Sequence, residues 1–238
     1  MGRFSYKNVY NSEKHNEFIE SQRYLIDDKF FYHAGICELS DGFSVEYTVY
    51  SDIEQKEQGF SITKAVGAKV ILRNAERTVY EYYRFNSYAY GFKDIIHHKN
   101  GHRYYPFHVD GCGISFLDVD TLEVYNYIPE GYKNNNDRIY GESFHIFDIY
   151  YDKESNLIAY CGSHAGIVDD VMVGDFSDPL DFNPHLISMY DILYSEYDIY
   201  FKELKDNRLY VLCDGREEKS LSVEELKEKI NELTTKGK

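Results

Sequence analysis

The chain has few cysteines, and small metal-binding or disulfide-stabilised domains depend on several of them at close spacing. In 238 residues it has no tryptophan, four prolines and four cysteines, and the cysteines form no CxxC pair. Zinc modules and disulfide-rich secreted domains need closely spaced cysteines, so this spacing argues against both classes. We predict that all four are free thiols: Cys37, Cys112, Cys161 and Cys213.

Long apolar segments are also absent from the sequence. No apolar run approaches the roughly 20 residues that a membrane-spanning helix needs. The segment Met1–Tyr6 lacks the apolar core of a signal peptide, and Tyr6 stands where a myristoylation signal needs serine or threonine. We therefore expect a cytoplasmic protein.

Positive charge is scarce relative to negative charge. The chain has 26 lysines and arginines against 41 aspartates and glutamates, which gives a net charge of −15 spread along its length. Such a field repels phosphate groups, so nucleic acid and anionic membranes are poor partners. Basic proteins, metal cations and neutral ligands remain open, although many proteins are acidic merely for solubility.

Aromatic residues are abundant, with 25 tyrosines and 15 phenylalanines. Tyrosine suits half-buried strand faces, because its ring packs while its hydroxyl needs water or a partner. Residues 43–50 alternate apolar and polar side chains, and turn residues such as Asp41-Gly42 and Asn100-Gly101 separate short strands. We predict a mainly β, antiparallel fold of β-propeller-like or sandwich repeats, in a single domain spanning residues 1–238.

The two ends of the chain differ from the strand-rich middle. We predict a short N-terminal helix within residues 1–28, a β-rich core over 29–213, with residues 51–58 as a charged connector, and a C-terminal amphipathic helix over 222–234. Ser222 and Glu225 have the spacing of a capping box at the start of that last helix.

Three segments with similar patterns indicate an internal repeat. Asp94, Asp148 and Asp198 each precede isoleucine, are 54 and 50 residues apart, and lead through a polar turn into a second apolar run. This rhythm resembles that of β-propeller blades, although no WD40 signature is present. We expect the three aspartates to occupy equivalent places, and the helix to replace the third strand of the last unit.

The segment from Gly141-Glu142-Ser143-Phe144 to Asp175-Phe176-Ser177-Asp178-Pro179-Leu180 resembles the central part of a group of bacterial proteins of unknown function. The resemblance covers about the C-terminal two-thirds of the chain. It implies no activity and no catalytic residues.

Histidines near Asn100-Gly101 form one candidate metal site. A two-residue turn there would set Lys99 opposite His102, which places His97 and His102 diagonally on one face. His108 and Asp110 are an even number of residues after His102, so their side chains are expected on the same face of the strand. The four residues are therefore a candidate zinc-ligand set. The alternative is a hairpin with exposed histidines that bind nothing.

The segment Tyr160–Gly166 is the candidate catalytic site, because small residues follow a strand there. Cys161 and His164 have the residue types of a thiolate and its base, and Ser163 is an alternative nucleophile. The spacing does not match a nucleophile elbow. Small residues also occur where backbones pass closely, which is the alternative reading.

Two further groups of residues, aspartates and tyrosines, have both a binding and a purely structural interpretation. Clustered aspartates, including Asp118, Asp170 and Asp175, are possible calcium ligands, but turn capping explains them as well. The tyrosines around Tyr80 and Tyr82 suit either a recognition surface or sheet packing.

No Walker loop, dinucleotide fingerprint or His-Glu-x-x-His motif is present, so we predict no cofactor. The favoured hypothesis is a non-enzymatic binding protein with a protein partner, such as an acidic immunity-type partner of a basic protein. The alternative is a hydrolase that uses Cys161, Ser163 and His164, or a metal held by His97 and His102.

Overall fold

The computed structural model describes residues 5–8, 17, 19–55, 61–85, 92, 94–108, 114–127, 144–164, 168–179 and 186–236. The fold is mainly β, as predicted, with strands in four sheets and few helices. Within these residues the sheets close into neither a barrel nor a propeller. The chain divides into two compact units, which are residues 1–96 with 103–141, and residues 97–102 with 142–238.

The first unit contains two sheets. One is a four-stranded antiparallel meander in the order β2-β3-β4-β5: β2 (Phe31–Glu38), β3 (Phe43–Gln55), β4 (Ser61–Asn74) and β5 (Arg77–Phe85). The other has the order β1-β9-β8-β7-β6, with β1 and β9 parallel: β1 (Ser5–Asn8), β6 (Ile96–His97), β7 (Arg103–Phe107), β8 (Ile114–Asp118) and β9 (Glu123–Tyr127).

Both sheets contribute to one core in this unit. Val45, Val70 and Leu72 of the meander are buried in the same cluster as Phe107 and Leu117. Tyr80 and Tyr82 are buried there too, so these two tyrosines pack in the sheet rather than forming a surface. Burying such alternating apolar faces between two sheets is the main source of stability for this architecture.

The second unit contains two further antiparallel meanders and two helices. The first meander has the order β10-β11-β12-β13: β10 (Phe144–Asp152), β11 (Leu157–His164), β12 (Val168–Asp175) and β13 (Ile187–Ser188). The second meander and the helices are β14 (Ile199–Lys205), β15 (Arg208–Cys213), β16 (Glu217–Ser222), a short helix (Met189–Ile192) and the C-terminal helix (Val223–Lys236).

The C-terminal helix is confirmed, including its capping box. The Glu225 amide donates to Ser222 Oγ at 3.2 Å, and the Ser222 amide donates to Glu225 Oε2 at 2.7 Å. Leu226 and Ile230 lie in the same buried cluster as Leu157 and Val211. The predicted apolar stripe therefore faces the core of the second unit. At the other end of the chain, residues 19–22 are helical and are followed by a 3-10 turn, while residues 9–16 lie outside the described part.

Three local predictions were wrong. The predicted connector at 51–58 is strand as far as Gln55, because β3 continues to pair with β4 and each amide gains a ladder partner. The C-terminal helix does not replace the third strand of the last repeat, because β16 follows the turn at Gly215 and pairs with β15. The three repeat aspartates are not equivalent: Asp148 lies inside β10, whereas Asp94 and Asp198 precede their strands.

Among the described residues, no helix combines the length and the apolar composition needed to cross a membrane.

Candidate functional site

The three candidate catalytic residues lie on β11, an inner strand of the first meander in the second unit. Side chains alternate between the faces of a strand, so Cys161 and Ser163 share one face and His164 lies on the other. Their exposure agrees: Ser163 is 3% exposed, whereas the His164 side chain is 46% exposed. The structure does not bring His164 together with either predicted nucleophile.

Cys161 is poorly suited to act as a thiolate. Burial raises the pKa of its thiol, and the nearby carboxylates of Asp148 and Asp170 raise it further. Asp148 is its register partner on β10. Since the thiolate is the nucleophilic form of cysteine, this environment keeps Cys161 in its unreactive state.

His164 instead pairs with a buried carboxylate that sequence reasoning did not select as its partner. His164 Nε2 lies 3.0 Å from Asp170 Oδ2, and Asp170 is almost fully buried. Gly162 is the register partner of Asp170, so His164 is a diagonal neighbour on the same face. This pairing fixes the orientation of the imidazole ring.

Asp170 is held by three further donors. Ser188 Oγ donates to Oδ2 at 2.6 Å, and the backbone amides of Val171 and Tyr190 donate to Oδ1 at 2.7 and 2.9 Å. A buried carboxylate with this many donors is satisfied as an anion. Ser188 bonds to the carboxylate rather than to the imidazole, so the group lacks the order of a Ser-His-Asp triad.

A cavity of about 470 Å³ lies beside this pair. Its lining includes His164, Met172, Ile187, Ser188, Lys229 and Glu232. The volume lies in the range of small-ligand sites, which are typically about 300–1,000 Å³. When the ring is neutral, the bond to Asp170 places the proton on Nε2 and leaves Nδ1 as an acceptor, which is the form a general base needs.

A second feature of this unit is a group of aromatic rings between carboxylates. The Tyr150 ring stacks on Phe201 with centroids 3.9 Å apart, and its hydroxyl donates to Asp148 at 3.0 Å. The Tyr200 hydroxyl lies 3.4 Å from Asp198. The Asp169 amide in turn donates to Asp198 at 3.0 Å. These contacts form two groups, Asp148 with Tyr150 and Phe201, and Asp198 with Asp169 and Tyr200, and we call the two groups together the acidic aromatic surface.

The local potential at the acidic aromatic surface is negative. Burial, together with Asp148 as hydrogen-bond acceptor and as charge, raises the pKa of Tyr150 to about 12. Burial, Asp198 and Asp169 likewise raise the pKa of Tyr200. Among the described residues, no lysine or arginine forms an ion pair with these three aspartates. Both rings remain partly exposed.

The hairpin that carries the predicted metal ligands pairs its two strands in a different register from the one expected. The Gly101 amide donates to the His98 carbonyl and the His98 amide to the His102 carbonyl, so Gly101 is a bulged residue with φ +93°. His98 rather than Lys99 therefore opposes His102, which places His97 and His102 on opposite faces. His108 is buried against Phe92, and Asp110 lies outside the described residues.

His98, which was not among the predicted ligands, has a structural role in that histidine group. Its Nε2 donates to the Phe176 carbonyl at 2.8 Å, its Nδ1 accepts from the Asn100 amide at 3.1 Å, and its ring stacks on Tyr151. Within the described part of the chain, no three His, Cys, Asp or Glu side chains are arranged to hold a metal ion. The aspartates at turns act as caps, as Asp118 does for the amides of Asp120 and Thr121.

Comparison with known proteins gives no family for the chain: no protein-family model matches it, and no curated protein matches it significantly.

Proposed function

We propose that the protein is a non-enzymatic binding protein and that its acidic aromatic surface engages a basic protein partner. Two local contacts carry this proposal: the Tyr150 hydroxyl donates to Asp148, and the Tyr200 hydroxyl donates to Asp198, which also accepts from the Asp169 amide. Both tyrosines are partly exposed, and none of the three aspartates pairs with lysine or arginine among the described residues. A guanidinium or ammonium group gains both charge pairing and a cation–π contact at such a place. The net charge of −15 adds long-range attraction for a basic partner.

An immunity-type role, in which the protein neutralises a basic toxin, is the specific form of this proposal. Such pairs depend on fast and tight association, which complementary charge supplies. We also propose that the repeated strands have a propeller-like arrangement. Such an arrangement would place strand ends and turns together on one surface, where a partner can bind.

The proposal is tested by affinity capture at low salt with three baits. These are the wild-type protein, the double variant Asp148→Asn/Asp198→Asn, and Asp148→Asn/Asp206→Asn, which has the same net charge but retains Asp198. We expect a basic protein that binds the wild type, binds the variant retaining Asp198 more weakly, and is lost with Asp148→Asn/Asp198→Asn. Identical capture by the two double variants would show that overall charge, rather than this surface, attracts the partner.

A hydrolase is the second candidate, and the His164–Asp170 pair beside the cavity is the observation that favours it. In this form of the hypothesis His164 Nδ1 removes a proton from water, the water oxygen attacks an ester carbonyl, and the alcohol leaves with a proton. Cys161 and Ser163 play no part, because they lie on the other face of β11.

Short-chain aryl esters are suitable probes of this second candidate. If it is correct, His164→Gln abolishes turnover while Cys161→Ser and Ser163→Ala retain it. Absence of turnover by the wild type, or equal turnover by His164→Gln, contradicts it.

A further inference from the structure

The cavity beside His164 is partly lined by apolar side chains. Among the described residues these are Met172 of β12, Leu186, Ile187 and Ile192. Ile187 belongs to the buried cluster of the second unit, and Ile192 packs against that cluster, so the apolar lining is continuous with the core. Such a lining takes up the apolar body of a small ligand, because the contact removes apolar area from water.

Hydrogen bonds hold this lining in place. Ser188 is the register partner of Met172 on the neighbouring strand. Its hydroxyl donates to the buried Asp170 and accepts from the Asp191 amide at 3.1 Å. The carboxylate that orients the His164 ring is therefore linked to the start of the short helix that carries Asp191. A site whose polar groups are already positioned loses little entropy when a ligand binds.

The polar part of the lining presents acceptors to a cation. The bond from His164 Nε2 to Asp170 leaves Nδ1 of the neutral ring as an acceptor. Within the described part of the chain, the Asp191 carboxylate forms no salt bridge. Asp191 and Glu232 bring two carboxylates to the lining, against one ammonium group from Lys229. The potential in the cavity therefore favours a positively charged ligand.

Lys229 does not reverse this balance. It follows Glu225 by four residues on the C-terminal helix, a spacing at which side chains interact. Hydrogen bonds from Ser222 lower the pKa of Glu225 most, and the charge of Lys229 lowers it further. The ammonium group of Lys229 is thus partly offset by a carboxylate one turn earlier. An anionic ligand would meet this single cation against the negative field of the whole chain.

We propose that the cavity binds a small primary amine with an apolar body, whose ammonium group donates to His164 Nδ1 and pairs with Asp191. The apolar body lies against Met172, and because a thioether makes favourable contacts with aromatic rings, an arylalkylamine suits the cavity best. The volume of about 470 Å³ accommodates a molecule of this size. Such binding involves no chemical step, so it requires neither the ester hydrolysis considered above nor the acidic aromatic surface.

Three probes of similar size separate charge from apolar contact: phenethylamine, the neutral phenethyl alcohol and the anionic hydrocinnamate. Calorimetry at about pH 8 compares them, since aliphatic amines are then protonated and free imidazole is neutral. We expect the amine to bind about tenfold more tightly than either of the others, as a charge-assisted hydrogen bond provides. Equal binding of the alcohol would show an apolar cavity only, tighter binding of hydrocinnamate would show an anion site, and either result would overturn the proposal.

Two variants test the two acceptors separately. Asp191→Asn removes the charge, and His164→Phe keeps a planar ring but removes Nδ1, so each should weaken phenethylamine binding about tenfold. Asp206→Asn is the matched control, because it changes the net charge as Asp191→Asn does but lies at the turn between β14 and β15. It should bind as the wild type does. Unchanged affinity of Asp191→Asn, or equal weakening by Asp206→Asn, contradicts the assignment.

Methionine methyl signals in a nuclear magnetic resonance spectrum report where the amine binds. The chain has three methionines, of which Met172 lines the cavity and Met189 is buried. Phenethylamine should shift the Met172 signal, identified by its loss in Met172→Leu, more than the other two. The same spectra show whether Asp191→Asn and His164→Phe are folded. An amine that binds without shifting the Met172 signal would lie elsewhere, and the proposal would be wrong.

Discussion

At the scale of single residues, buried polar groups decide what this chain can do chemically. Cys161 was selected from its sequence neighbours, but burial and two carboxylates raise the pKa of its thiol. Asp170 became important only through contacts with residues far from it in sequence, such as Ser188 and Tyr190. Residue types and spacing therefore identified the strand that carries the candidate site, but could not identify which side chains meet there.

Replacing Asp170 should destabilise the second unit strongly. In Asp170→Asn an amide NH₂ group faces donors that the carboxylate now accepts, and hydrogen bonds to charged groups contribute about 1.5–3 kcal/mol each. We expect a loss of about 2–4 kcal/mol in the free energy of unfolding. Chemical denaturation measures it, with His164→Gln as the control that removes one partner at a half-exposed site. Equal stability of Asp170→Asn and wild type would contradict the buried network.

The buried pair Tyr82–Tyr105 predicts a loss of stability at alkaline pH. Their hydroxyls are 3.2 Å apart. Burial raises the pKa of Tyr105 from 10.0 to about 12 and raises that of Tyr82 as well. Below pH 10 both the folded and the unfolded states keep these protons, so the buried tyrosine pair makes its full contribution to the free energy of unfolding. Between about pH 10 and 12 only the unfolded state releases them, and the folded state loses stability.

This pH dependence is measured by denaturant unfolding at a series of alkaline pH values. The double variant Tyr82→Phe/Tyr105→Phe should show a shallower decline above pH 10 than the wild type does. Superimposable pH profiles for the two proteins would contradict the assignment.

At the scale of elements, short-range patterns predicted strands and caps well and registers poorly. The turn at Asp41-Gly42 and the capping box at Ser222 follow from local backbone chemistry, and both are present. Asn100-Gly101 also forms a turn, but one bulged residue shifts the pairing and separates His97 from His102. A shift of one residue exchanges the faces of every side chain in a strand, so a site built on a predicted register fails with it.

The C-terminal helix offers a prediction at this scale. Ser222→Ala removes the side-chain oxygen that accepts from the Glu225 amide, and loss of such a cap typically costs about 1 kcal/mol. We expect that decrease in the free energy of unfolding, with Ser44→Ala on β3 as a comparison that leaves the cap intact. A cost for Ser222→Ala no greater than that for Ser44→Ala would show that the cap is unimportant.

At the scale of the whole molecule, composition correctly indicated a mainly β protein, whereas the number and order of its sheets depend on long-range pairing. Alternating aromatic and β-branched residues require sheets with buried faces, as in the core shared by Val70 and Phe107. The parallel pairing of β1 with β9 joins residues more than a hundred positions apart, and no local pattern encodes it. The net charge of −15 is a property of the entire chain, and we propose that the residues around Asp148 and Asp198 are where it leads to selective binding.

The central claim is that the acidic aromatic surface recognises a basic partner, and peptide titration tests it most directly. Calorimetry would compare an arginine-rich peptide with a glutamate-rich peptide of the same length at low salt. The wild type should bind only the arginine-rich peptide, and Asp148→Asn should weaken that binding several-fold. Asp206→Asn, which changes the net charge equally at a turn on the other end of β14, should leave it nearly unchanged. Equal weakening by both substitutions, or no binding by the wild type, would contradict the claim.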